Sequence, residues 1–90
     1  MPKPAIGRIV HITMDPAWNN GADVAPAIIT RVWNDACVNL RVLADSQNVE
    51  WKTSVPLFES RDALEAHFDS VAASVPGAPR PSGAFWPERV

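Results

Sequence analysis

Cys37 with His11 or His67 is the one pairing of a nucleophile with a base in this chain. A catalytic thiol needs an imidazole close enough to take its proton, and nothing in these spacings demands that. The favoured reading is a small buried cysteine at a strand start and two unrelated histidines. One cysteine excludes an internal disulfide framework, and with two histidines it falls short of a structural zinc site. The 10 acidic residues are spread along the chain, and no spacing singles out an acid/base pair. Walker, GxGxxG, HExxH, GxSxG and paired CxxC patterns are absent, and Gly7, Gly21, Gly77 and Gly83 are too scattered to cradle phosphate. The expectation is a protein that is not an enzyme and carries no metal and no cofactor.

Binding chemistry has better material. Four tryptophans, Trp18, Trp33, Trp51 and Trp86, stand in a chain without tyrosine. Indole brings more area than any other side chain, and its N–H wants a partner when buried. The favoured reading puts Trp33, Trp51 and Trp86 in the core of a small barrel. Trp18, in an Asn/Gly loop with no periodic company, is expected to be exposed, and exposed Trp is enriched at binding hot spots. Arg8, Arg31 and Arg41 lie on strands among apolar neighbours. Arginine forks beside indole planes suit a phosphorylated or otherwise anionic small ligand, although solvated strand faces paired with acids are the more common use of such residues. The candidate contact residues are therefore Trp18, Arg31, Trp33, Arg41 and Trp51.

These residues must be positioned by short strands. Residues 7–13 (GRIVHIT) alternate, and Asp15-Pro16 with Asn19-Asn20-Gly21 then breaks the pattern into a polar loop over about 14–24. Pro26 stands where a strand can begin, and residues 27–33 are β-branched and nearly continuously apolar. Asn34-Asp35 is a turn. Residues 37–44 place Val38, Leu40 and Val42 on one face, and residues 49–55 set Val49, Trp51, Thr53 and Val55 against Glu50, Lys52 and Ser54. Two alternating runs joined by Asp45-Ser46-Gln47-Asn48 predict a β-hairpin, which Pro56 is expected to end. The period then changes. Ser60 is a candidate N-cap for a helix over 61–74, with Leu64, Phe68, Val71 and Val75 on one face. Residues 76–83 read as a Pro/Gly-rich connector, and 85–90 as a short last strand bringing Phe85-Trp86 back onto the sheet.

The 90 residues form one domain, 1–90, and a chain so short buries only about 60–65% of the surface it exposes when unfolded. The expected fold is mainly β (α+β): a small curled antiparallel sheet or SH3-like barrel of four to five strands with one helix. A net charge of −2 disfavours duplex nucleic acid and anionic membrane as partners. With no signal-like start and no apolar run near the ~20 residues a bilayer crossing needs, the expectation is a cytoplasmic protein. Short edge strands and a surplus of aromatics point to a homo-oligomer.

Five ordered segments carry a family resemblance: Gly7-Arg8-Ile9-Val10-His11, Arg31-Val32-Trp33, residues 37–42 (CVNLRV), Trp51 with Thr53-Ser54, and Trp86-Pro87-Glu88-Arg89. Together they resemble small bacteriophage- and prophage-encoded proteins that begin near GRIVHY and finish near WHWPxR. Ile12 stands where Tyr is usual and Phe85-Trp86 where Trp-His-Trp is common. The resemblance implies a phage or prophage origin and supplies no catalytic residues. Two functions fit. One is an accessory protein in the host cytoplasm that binds a host or phage protein, or a small anionic ligand such as a nucleotide signal. The other is a structural virion or assembly protein, a decoration or connector.

Overall fold

The computed structural model describes residues 3–47, 49–77 and 83–87. Five strands, β1 (Ile9–Thr13), β2 (Val24–Asn34), β3 (Cys37–Leu43), β4 (Val49–Phe58) and β5 (Ala84–Phe85), close a barrel in sequential order. One α-helix, α1 (Arg61–Ser74), links β4 to β5. The expected small barrel with a single helix is what the chain forms. Four pairings are antiparallel; the seam between β4 and β5 is parallel, because α1 carries the chain back to the start of the closing strand.

The interior follows period-2 alternation. Val10 and Ile12 of β1, Ala25, Ala27 and Ile29 of β2, Val38, Leu40 and Val42 of β3, and Val55 and Leu57 of β4 meet inside with Ala84 and Trp86. Helix α1 begins where capping chemistry puts it: the Ser60 backbone is extended and its hydroxyl accepts the Ala63 N–H at 3.1 Å. It does not plug the barrel. Phe85 and Phe58 point outward, in opposite phase to Ala84 and Leu57, and Leu64 and Phe68 cover them together with the partly buried Val24. The apolar stripe of α1 fades along its length, since Val71 is only half-buried and Val75 is exposed.

Both prolines expected to bound strands sit inside them. Ile29 donates its N–H to the Arg8 carbonyl, and Met14 donates to that of Asp23, so odd-numbered residues of β2 turn their main-chain groups toward β1. Pro26 therefore points its nitrogen to the β3 side, where pairing begins only at Ala27 opposite Val42. Pro56 is tolerated in β4 for the same reason. Leu57 donates to the Ala36 carbonyl, which leaves the Pro56 nitrogen facing the seam one residue before β5 pairing starts. Among the described residues the closing strand is Ala84–Phe85 rather than a run over 85–90. Most of the expected 76–83 connector, and the end of the chain after Pro87, lie outside the described residues.

Candidate functional site

The residues with binding chemistry gather on one outer face, and β-bulges put them there. Between Ile29 and Arg31 the register against β3 shifts by one residue, so the inward phase of β2 passes from Ala27 and Ile29 to Val32. Arg31 and Trp33 are thereby turned outward. On β4 a matching shift falls opposite Val38–Leu40, with Ser54 in the left-handed region at φ 55°. The single face expected from Val49 through Val55 is cut there: Val55 is inside, whereas Val49, Trp51 and Thr53 are exposed. Trp33 and Trp51 are accordingly 50% and 55% exposed, against 6% for Trp86. The expectation that all three fill the core holds for Trp86 alone; the two bulges invert the phase that alternation assigns to the others.

Register then aligns the outer face. Ile9 pairs with Ile28, Ile28 with Arg41 and Arg41 with Trp51, a row crossing four strands. Leu43 opposite Val49 extends it on one side, and Arg31 opposite Asn39 on the other. Leu43, Val49 and Ile9 are all exposed, so the row carries apolar area as well as guanidinium groups. Among the described residues neither Arg31 nor Arg41 has an acidic partner, the ion pairs being Lys52–Glu50, Arg61–Asp23 and Arg61–Glu65.

Asn39 fixes this surface from beneath. It is buried, and its Oδ1 accepts from Trp33 Nε1 at 2.8 Å, Thr53 Oγ1 at 3.0 Å and the Ser54 N–H at 2.8 Å. One amide oxygen thus ties the Trp33 ring to the β4 bulge. Arg31 lies over the same ring, its guanidinium carbon 4.0 Å from the centroid. Trp33 is an exposed aromatic held by a hydrogen bond and a cation–π contact, so little side-chain freedom remains to be lost on docking. Sequence reasoning passed over Asn39. The signal was a poor strand former between Val38 and Leu40, which needs specific partners to be tolerated there.

Trp18 is exposed as expected but belongs elsewhere. It ends a 3₁₀ turn, Pro16–Trp18, capped by Asp15, whose Oδ1 accepts the Ala17 N–H at 2.9 Å. Asn19, also missed, is buried beneath that turn. Its Nδ2 donates to the Ala22 and Val24 carbonyls and its Oδ1 accepts the Asp45 N–H at 2.6 Å, stitching the β1–β2 loop to the β3–β4 loop. Trp18 lines an open cleft of about 540 Å³ with Thr13, Met14 and Asp15 on one side and Val49, Glu50 and Lys52 on the other. Among the described residues that cleft is lined by two carboxylates and no arginine, with Lys52 already 3.6 Å from Glu50, a lining poorly suited to an anion. Arg8 is engaged by Trp86, 5.3 Å from its ring centroid.

The nucleophile-and-base pairing does not assemble from the contacts seen. Cys37 pairs with Asn34 and Pro56 at the β2–β3 end. His11 packs edge-on against Phe85 at 5.7 Å, and His67 against Phe58 at 5.2 Å, both at the seam. Among the described residues no group of three or more His, Cys, Asp or Glu could hold a metal ion, and no helix is long and apolar enough to cross a membrane. No family model, no curated protein and no solved structure matches the chain.

Proposed function

We propose that this chain is a non-enzymatic accessory protein of bacteriophage type, working in the host cytoplasm by gripping a protein partner through the outer face of β2, β3 and β4. The observation that carries the reading is the Trp33 arrangement: an exposed indole braced by Asn39 and stacked by Arg31, next to a row containing Arg41 and Trp51. Trp and Arg are the side chains that dominate binding hot spots, and pre-ordered ones lose least on association. Two arginines with no acidic partner among the described residues make the complement an acidic protein surface with apolar positions among its carboxylates. The protein partner is preferred to a small anionic ligand because these arginines lie along an outer sheet face, whereas small-ligand sites enclose most of the ligand's surface. The order of the GRIVH, RVW, CVNLRV, WKTS and WPER segments supports the phage assignment.

The test compares capture from bacterial extract by the wild-type chain and by Arg31→Ala, Trp33→Ala and Trp18→Ala, read by native mass spectrometry. A stoichiometric protein partner that is lost with the first two substitutions and kept with the third supports the reading. Retention of a few hundred daltons per chain and no protein would overturn it in favour of ligand capture.

A further inference from the structure

The seam of the barrel is much shorter than the strand that borders it. β5 pairs with β4 only at Leu57 and Phe58, so from Val49 to Pro56 the seam side of β4 has no strand partner among the described residues. Exposed strand edges of this kind recruit another strand. Which main-chain groups they offer follows from the ladders. Even-numbered residues of β2 face β3, so Arg41, opposite Ile28, turns its groups to β2, while Leu40 and Val42 face β4. Their partners Lys52 and Glu50 are thereby used against β3. Val49 and Trp51 are left with N–H and C=O pointing to the seam side, where no described residue pairs with them.

We infer that the occupant of this edge is a second copy of the chain, its β4 running antiparallel about a twofold axis at Trp51. Charge selects this register. With Trp51 opposite its symmetry mate, Glu50 faces Lys52 of the second copy and Lys52 faces Glu50, two opposite-charge pairs from one dyad. A dyad at Glu50 sets carboxylate against carboxylate, and one at Lys52 sets ammonium against ammonium. Of these three positions, Trp51 is also the one whose edge-facing groups form a reciprocal hydrogen-bonded pair. Thr53 and Val49 then face each other across the dyad, and the Ser54 bulge ends the pairing. The expected homo-oligomer is a dimer, and the two outer faces join into one surface of double width. This inference does not rest on the partner reading, which concerns Trp33 and Arg31.

Native mass spectrometry and sedimentation of the purified protein test it, alongside two kinds of variant. Trp51→Pro deletes an N–H that no ladder among the described residues uses and is expected to give a folded monomer. Glu50→Lys places like charges opposite each other twice and is expected to weaken the dimer about tenfold, while Glu50→Lys with Lys52→Glu restores it. If Trp51→Pro does not fold, the charge series decides alone. In a Cys37→Ser background, Trp51→Cys should form a disulfide-linked dimer on oxidation, because the roughly 5.5 Å Cα separation of a hydrogen-bonded pair suits a disulfide, and Val49→Cys should not. A wild-type monomer at every concentration overturns the inference. So does a dimer insensitive to Glu50→Lys, or cross-linking at position 49 instead of 51.

Discussion

The barrel has two outer faces rich in large apolar side chains, and the chain treats them differently. Around the seam, Phe58, Phe85 and Val24 are roofed by Leu64 and Phe68 of α1. Across β1 to β4, Ile9, Trp33, Leu43, Val49 and Trp51 stay exposed, although a buried asparagine and strand bulges go into arranging them. The covered face supplies stability. The open one is organised at some cost to strand regularity and gains no burial within the monomer. Apolar side chains scattered singly over a surface need no explanation, but a row in register with pre-ordered indole and guanidinium groups has the make-up of a contact surface.

Substitutions should separate the two faces by their effect on stability. Leu64→Ala and Phe68→Ala empty the roof and are expected to cost about 2–5 kcal/mol each in urea unfolding. A Cβ at Gly83 would press into Leu64 Cδ1 and stand 3.3 Å from Phe68 Cζ, so Gly83→Ala is expected to cost about 1–3 kcal/mol by forcing the helix outward. Asn39→Leu leaves the Ser54 N–H and the indole N–H without their acceptor. It should cost about 1–3 kcal/mol and free the Trp33 ring, seen as a fall in its fluorescence anisotropy relative to a Trp33→Phe control. Arg31→Ala on the open face should change stability by no more than about 0.5 kcal/mol. A large loss there would make the open face a structural feature and erase the distinction.

The covered face was legible in the sequence and much of the open one was not. Ser60 followed by Leu64 and Phe68 at helical spacing fixes the start and the buried face of α1, and the alternation of Val38, Leu40 and Val42 fixes β3 against the interior. Both are period arguments, and periods survive in those segments. Trp33 and Trp51 sit across an interruption of period from the residues that anchor their strands. One extra residue near Thr30 and a left-handed Ser54 reverse inside and outside. Nothing in TRVWN or WKTSV announces that by composition. Pro26 and Pro56 misled in a related way, since their place in a strand depends on which side the missing N–H would face. Only the pairing partners decide that. The candidate contact residues were named from chemistry alone. Arg31, Trp33, Arg41 and Trp51 do share one face, while Trp18 stands apart on its own turn above the cleft.

Tryptophan oxidation footprinting tests the open face most directly, comparing the purified protein with the same protein in bacterial extract under matched oxidant dose. The account predicts that Trp33 becomes protected in extract while Trp18, 67% exposed in the free chain, stays as reactive as before. Equal reactivity of Trp33 in both settings, or protection confined to Trp18, would contradict it.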